Sequence, residues 1–159
     1  MPATRFDTPI GSCAIAWTAD EITGFSLPPA TNSQDRPSPW VGAIIARVKR
    51  HLAGEMQDFA DLPYAWSRVS SFQHAVYEAA LQVKPGQTWS YGQLAAAIGL
   101  PPVAARAVGT ALAQNPWALL VPCHRFIGAD GRMTGFSAPG GIKMKLRLLA
   151  LEGAELFAE

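Results

Sequence analysis

Cys123 is the residue in this sequence with the greatest capacity for chemistry, because it lies in the run Val121-Pro122-Cys123-His124-Arg125. A cysteine is a useful nucleophile only as its thiolate, and neighbouring basic groups lower the pKa of a thiol. Adjacent residues often point apart, however, and a lone cysteine in an apolar setting is more often a packed core residue. These five residues alone leave both interpretations open, a reactive thiol and a buried structural one.

The remaining cysteine and histidines do not indicate a metal site. The chain has two cysteines and three histidines, and they form neither a CxxC pair nor an HxxxH pair, so no structural zinc is expected. Neither a GxGxxG nor a Walker-type glycine motif is present, so no cofactor is expected. The first twelve residues do not resemble a secretory signal, which predicts a cytoplasmic protein in which Cys13 and Cys123 are free thiols.

Composition and charge narrow the class of protein. With 49% hydrophobic and 16% charged residues, the chain is typical of a globular protein rather than a disordered one. No apolar run approaches the roughly 20 residues that span a bilayer, so no membrane partner is expected. The net charge is only +1, but residues 84–150 carry seven Lys and Arg against one acidic residue. Such a stretch fits a surface for a polyanion such as nucleic acid, although many charge blocks are only solvated faces.

The first part of the chain predicts a small α/β domain over residues 1–66. Residues 3–27 are β-compatible and predict strands with a turn at residues 18–20. Residues 28–39 contain four prolines and predict a loop. Residues 40–52 have apolar side chains at helical spacing and predict a helix.

The second part, residues 70–159, predicts a mostly helical domain. Ser70 with Gln73 and Ser90 with Gln93 fit capping boxes, which predict helices over residues 70–83 and 90–98. A third helix is expected from residue 101 to about residue 114, and a last one over residues 142–151. Residues 119–121 predict a short strand and residues 128–131 a turn.

The third predicted helix is unusual because it consists almost entirely of Ala, Gly and Val, with Arg106 as its one charged residue. Together with the preceding short helix it has the form of a helix-turn-helix unit. One interpretation is an ordinary buried core helix. The other is a helix whose small side chains let its backbone approach DNA closely while one long cation reaches into a groove.

The order and spacing of several motifs resemble those of a known family. Asn115-Pro116 followed by Val121-Pro122-Cys123-His124-Arg125 is similar to the signature of the O6-alkylguanine-DNA alkyltransferases, or methylated-DNA–protein-cysteine methyltransferases. Further matches lie in residues 88–95, 104–109, 135–137 and 148–153, so the resemblance covers roughly residues 72–155. It implies a ribonuclease-H-like N-terminal domain and a winged-helix-like, mostly helical C-terminal DNA-binding domain that holds the active-site cysteine.

The resemblance implies a set of catalytic roles. Cys123 would accept the alkyl group, and His124 would act through a water as the base toward its thiol. Glu152 would orient and polarise His124, which is the nucleophile, base and orienter logic of covalent catalysis. Asn115 would brace the turn between the DNA-reading helix and the active-site segment.

The resemblance also implies how DNA is held. Arg106 would enter the minor groove and fill the gap left by an extruded nucleotide, and Tyr91 would crowd the backbone phosphate. Extrusion is required because the O6 atom lies within the base stack. The other residues expected to face DNA are Ala105, Gly109 and Arg125.

The substrate pocket is where this sequence departs from the family pattern. Ser137 and the backbone around Val121 would hydrogen-bond the flipped guanine, and Phe136 would form an aromatic wall. Phe136 stands where the family often has Tyr, Phe126 stands where Val is usual, and the loop over residues 137–141 is slightly longer. These changes bear on pocket size and alkyl preference but leave the acceptor thiol intact.

The expected function is single-turnover transfer of an alkyl group from O6-alkylguanine in double-stranded DNA to Cys123, by a monomer without a cofactor. A non-catalytic sensor of the same fold would flip the base without reacting, but such proteins typically lack the cysteine. A thiol enzyme with a non-DNA alkyl donor is a further alternative, against which Arg106 and the basic stretch argue. Salt-sensitive DNA binding would distinguish the first two from the third.

Overall fold

The first part of the chain folds as an antiparallel sheet with one helix. The computed structural model describes residues 2–30, 33–128 and 141–154. Strands β1 (Ala3–Thr8), β2 (Gly11–Trp17) and β3 (Ile22–Ser26) pair in that order, and helix α1 (Pro39–Leu52) follows the proline-rich loop. The strands and the helix agree with the sequence prediction: the helix buries one face at helical spacing, whereas the strands consist of β-compatible residues that are buried without strict alternation.

The second part is mostly helical, as predicted. Both capping boxes form: the Ser70 and Ser90 hydroxyls accept from the backbone N–H three residues later, and the Gln side chains there accept in return. These boxes satisfy N–H groups that a helix start leaves without partners. The helices are α2 (Ser71–Ala80), α3 (Tyr91–Ala97), α4 (Ala105–Ala113) and α5 (Gly141–Leu151), and the short strands β4 (Trp89–Ser90) and β5 (Phe126–Ile127) pair in parallel.

Helices α3 and α4 form the expected helix-turn-helix unit. The 3-10 turn Pro102–Ala104 precedes α4, and the chain bends by 119° between the two helices. Val108, Ala111 and Leu112 of α4 are buried, so its other face is presented outward.

Among the described residues no single helix is long and apolar enough to cross a bilayer. Helices α3 and α4 taken together are long and apolar enough by length and composition alone, but the chain bends sharply between them.

The prediction of a strand over residues 119–121 is wrong. The chain turns there instead: the Val121 N–H donates to the Trp117 carbonyl over 2.9 Å, and Leu119 has a φ of 75°. Leu119 and Leu120 are buried by packing, and a short apolar run cannot distinguish a buried turn from a strand. The predicted turn at residues 128–131 lies mostly outside the described residues.

Trp117 connects the sheet to the helical part. Its side chain is fully buried, and its indole N–H donates to the Ile22 carbonyl over 2.8 Å. Beside it, the Phe25 N–H donates to the Pro116 carbonyl over 2.9 Å, and Tyr77 of α2 meets the indole edge to face. One hydrophobic core therefore runs through both parts of the chain.

Replacement of Trp117 by Ala should lower the free energy of unfolding by about 3–5 kcal/mol, because it leaves a large cavity and removes the hydrogen bond from the indole N–H to the Ile22 carbonyl. Urea denaturation followed by circular dichroism measures the loss. Trp40→Ala is the control, since Trp40 is only partly buried and should cost less. A loss below about 1 kcal/mol for Trp117→Ala would show that the two parts are stabilised separately.

Candidate active site and DNA-facing surface

Cys123 lies in a short, firmly braced turn. It begins the 3-10 turn Cys123–Arg125 and is only 8% exposed. The Asn115 amide donates to the Val121 carbonyl over 2.9 Å and its oxygen accepts from the Trp117 N–H over 2.9 Å. Asn115 thus ties the end of α4 to the segment that carries the thiol, which is the position its predicted bracing role requires.

Glu152 is a buried carboxylate that gathers the basic residues of the site. Its Oε2 accepts from His124 Nε2 over 2.9 Å and from Arg125 Nη2 over 2.8 Å, while Oε1 accepts from Arg125 Nε over 2.9 Å. A third basic residue, His51 of α1, also places Nε2 2.9 Å from Oε2. His51 is not among the site residues predicted from the sequence. Within residues 2–30, 33–128 and 141–154, no group of three or more His, Cys, Asp or Glu side chains is placed to hold a metal ion.

The bonding of Glu152 fixes its charge. Burial would raise the pKa of this carboxyl, but the hydrogen bonds from Arg125, His124 and His51 hold it well below its usual range. Glu152 is therefore a carboxylate and can only accept hydrogen bonds.

Because Glu152 only accepts, His124 must carry a proton on Nε2. Burial lowers the pKa of His124 below its ordinary value despite the opposing attraction of Glu152, so the ring is neutral and Nδ1 has a free lone pair. Within the described residues Nδ1 is buried and has no hydrogen-bond partner. A neutral imidazole with one nitrogen fixed and the other open is the form in which a histidine accepts a proton.

The thiol itself is not activated in the resting protein. Burial raises the pKa of Cys123, and the Asn115 side chain and the Lys145 ammonium offset this only in part. Lys145 is fully buried, donates to the Phe126 carbonyl and lies 5.9 Å from the centre of the Tyr91 ring. Burial lowers the pKa of Lys145 to about 8. Lys145 is not among the site residues predicted from the sequence, although it lies one turn before Leu149, which is also buried, and therefore on the inward face of α5.

The prediction that Arg125 contacts DNA is wrong. Its side chain is buried, and besides its two bonds to Glu152 it donates to the Val83 carbonyl over 2.7 Å. A buried carboxylate requires a buried cation or several donors, and Arg125 meets that requirement.

Val121 also differs from its predicted pocket role. Its carbonyl accepts from both the Asn115 amide and the Cys123 N–H, and its own N–H donates to Trp117. A carbonyl has two lone pairs, so the Val121 backbone has no remaining group for a guanine in this conformation. Phe136 and Ser137, the other two predicted pocket residues, lie outside the described residues.

The predicted DNA-facing residues of α4 lie on or near its outer face. Arg106 is exposed, and Ala105 and Gly109 are partly exposed. Tyr91, at the start of α3, packs beside Gly109, where an added Cβ would lie 3.8 Å from the ring. That distance is ordinary contact, so packing against Tyr91 does not require glycine at residue 109.

Comparison with known proteins agrees with this geometry. A family model described as the 6-O-methylguanine DNA methyltransferase DNA-binding domain matches residues 71–154, which include the whole Cys123–Glu152 site. The methylated-DNA–protein-cysteine methyltransferase of Mycobacterium tuberculosis is 39% identical over 155 residues, covering 92% of this chain and 88% of the relative. The chain belongs to the methylated-DNA–protein-cysteine methyltransferase family. Its function is DNA repair by alkyl transfer to a cysteine.

Solved structures extend the similarity of this methyltransferase to the whole chain. The crystal structure of the Mycobacterium tuberculosis OGT in complex with DNA matches with a TM-score of 0.81 and 37% identity, over 96% of this chain and 93% of that one. The Pyrococcus kodakaraensis O6-methylguanine-DNA methyltransferase matches with a TM-score of 0.72 and 26% identity, over 96% and 99%. A DNA base-flipping protein of Thermus thermophilus is 45% identical over 117 residues, covering 71% of this chain and 76% of the relative.

Replacement of Glu152 by Gln should lower the free energy of unfolding by about 3–5 kcal/mol at neutral pH, because Arg125 loses its buried counter-charge. Since the pKa of Glu152 is lowered by folding, this contribution is fully present above the ordinary Glu value of 4.5 and is lost as the pH falls below it. Urea denaturation at several pH values measures both effects.

The control for that measurement is Glu78→Gln, because Glu78 forms an exposed pair with His74. Its effect should stay within about 0.5 kcal/mol. Equal losses of unfolding free energy in the two variants would show that the buried contacts of Glu152 do not stabilise the fold.

Proposed function

We propose that this methyltransferase repairs O6-alkylguanine in double-stranded DNA by moving the alkyl group irreversibly onto Cys123. The observation that carries the proposal is the order of groups in one buried site, formed by the Cys123–Arg125 turn and by Glu152, which directly follows α5. A thiol is followed directly by a neutral histidine, whose Nε2 is bound by the Glu152 carboxylate and whose Nδ1 is open. This order supplies a nucleophile, a base and an orienting acid.

The transfer balances without a cofactor. A water bound to His124 Nδ1 passes the thiol proton to the imidazole, and the Sγ thiolate attacks the alkyl carbon. The bond between that carbon and O6 breaks and its electron pair goes to the guanine, which then receives, from His124 through the water, the proton that the thiol lost. The product is a thioether, and the catalytic groups described above include none that could restore the thiol. Each molecule therefore acts once.

Lys145 serves the thiolate in this reaction. Its ammonium opposes the effect of burial on the pKa of Cys123, and an opposite charge near a thiol favours the thiolate. Because the Cys123 pKa is nevertheless raised in the free protein, the thiol stays protonated and unreactive until the flipped guanine enters the site.

DNA reaches the site through α4 in this proposal. Arg106 enters the minor groove, the small Ala105 and Gly109 let the helix backbone approach, and Tyr91 crowds a phosphate. Cys123 is buried, so the guanine must leave the stack to meet it. Similarity to a named DNA base-flipping protein supports this step.

The fold, assembly and location belong to the same proposal. The 119° bend between α3 and α4 supports a winged-helix-like C-terminal domain, and we assign the N-terminal part to a ribonuclease-H-like fold. The protein acts as a monomer in the cytoplasm or, in a bacterium, at the nucleoid.

A second candidate is lesion sensing without transfer, which the similarity to the base-flipping protein favours. The positions of Cys123, His124 and Glu152 argue against it, because a sensor has no use for an oriented base beside a thiol. A thiol enzyme acting on a non-DNA donor would not require Arg106.

Wild-type protein mixed with a duplex containing one O6-methylguanine should gain roughly 14 Da, the mass of a methylene, on the peptide that contains Cys123. Intact-protein and peptide mass spectrometry measure this gain. Cys123→Ser should gain nothing, and Cys13→Ser should react like the wild type because Cys13 is a buried strand residue. Lesion-preferring binding without any mass gain would establish the sensor instead.

Arg106→Ala should weaken duplex binding about tenfold and reduce the slope of log affinity against log salt by about one. The control is Arg5→Ala, which changes the net charge equally at an exposed position in β1 and should leave the affinity unchanged. Fluorescence anisotropy with a labelled duplex at several salt concentrations measures both. Equal effects of the two substitutions would show that net charge, not α4, governs binding.

A further inference from the structure

His51 is a buried histidine of the N-terminal part that the mechanism above does not use. It lies in the last turn of α1 and is 1% exposed. Its two ring nitrogens are both hydrogen-bonded: Nδ1 accepts from the Gln57 N–H over 3.0 Å, and Nε2 lies 2.9 Å from Glu152 Oε2. Since a backbone N–H only donates, Nδ1 carries no proton. His51 is therefore a neutral ring that donates from Nε2 to the carboxylate.

The orientation of His51 does not depend on Glu152. The Gln57 N–H holds Nδ1, and the Phe59 ring packs against the imidazole with ring centres 5.3 Å apart. The donor is thus aimed at the carboxylate before any substrate arrives, which is the arrangement expected of a preorganised second group behind a catalytic histidine.

Glu152 Oε2 therefore divides its charge among three donors, His51, His124 and Arg125. Each added donor makes the oxygen less basic, so it attracts the N–H of His124 less strongly. Without His51, the same carboxylate would stabilise the protonated form of His124, and less of the neutral base would be present near neutral pH.

We propose that His51 is a positioning residue of the alkyl-transfer reaction, which donates to Glu152 and thereby keeps His124 a neutral base. This role rests on the function proposed for Cys123 and His124. It also gives the N-terminal part a direct role in the reaction. The other charged or titratable groups that face the network are Arg125, Cys123, Lys145 and, beyond Arg125, the Asp58–Lys84 pair.

Two substitutions separate the bond to Glu152 from the bond to Gln57. Asn at residue 51 keeps an acceptor for the Gln57 N–H but is too short to reach Glu152, whereas Gln reaches about as far as Nε2 and keeps a donor. His74→Asn is the matched control, because it makes the same substitution at a histidine that pairs with Glu78 and is not bonded to Glu152.

The first readout is the single-turnover rate of methyl transfer to Cys123 from pH 5 to pH 9, measured by mass spectrometry. His51→Asn should move the acid limb upward by about one pH unit, so that the rate on that limb falls about tenfold, while the rate at high pH stays within about twofold. His51→Gln should restore most of the limb. His74→Asn should leave the acid limb of the rate profile where it is in the wild type.

The second readout is the pKa of His124 from nitrogen chemical shifts in the DNA-free protein, which does not depend on transfer. It should rise by about one unit in His51→Asn and much less in His51→Gln. The same His124 pKa in wild type and His51→Asn, or an equal shift in the Asn and Gln variants, would overturn the role of His51. A wild type that transfers no methyl group would instead contradict the function of the site, while the His124 titration would still decide the role of His51.

Discussion

The structure depends on one carboxylate that has been removed from water. The Glu152 side chain is 1% exposed, and an isolated buried charge of this kind would be strongly destabilising. The fold meets this constraint by bringing three basic side chains to it from two distant parts of the chain. Arg125 neutralises the charge, and the two histidines share the remaining lone pairs. The position of the active-site turn, the end of α5 and the end of α1 all follow from that requirement.

The same constraint separates the chemical roles of adjacent residues. Cys123, His124 and Arg125 are consecutive, yet they meet different surroundings because the 3-10 turn points them apart. Arg125 is used for structural charge balance, His124 for proton transfer, and Cys123 for bond formation. Lys145 approaches from α5, and its positive charge favours the thiolate, while burial lowers its own pKa to about 8. The reactive group is therefore surrounded by basic side chains of which only some are charged.

Much of the architecture could be predicted from local sequence, because its causes are local. A capping box needs only Ser70 and Gln73, and the burial of α4 needs only the spacing of small apolar residues. The pairing of Cys123, His124 and Glu152 was accessible only through the family resemblance, since 28 residues separate the histidine from the carboxylate.

The features that sequence could not supply depend on long-range contacts. Arg125 resembles a surface cation until Glu152 and the Val83 carbonyl are placed around it. Leu119 and Leu120 have the composition of a strand, but the contact between Trp117 and Ile22 turns the chain there. His51 follows Ile44 and Val48 at helical spacing, which places it on the buried face of α1, but no pattern in the sequence identifies its partner. Only the approach of Glu152 from 101 residues away does so.

The long sequence separation of His51 and Glu152 affects how the protein tolerates substitutions in α1. The hydrogen bond between His51 and Glu152 joins residues that are 101 positions apart in the sequence, and His51 lies in the last turn of α1. The ends of helices fray more readily than their interiors. Fraying of α1 would interrupt the network without unfolding the core. Substitutions on the solvent face of α1 would then alter the repair rate through local helix stability. An N-terminal part taken from a relative would support transfer at the same rate only if the end of its helix also presents a donor to Glu152.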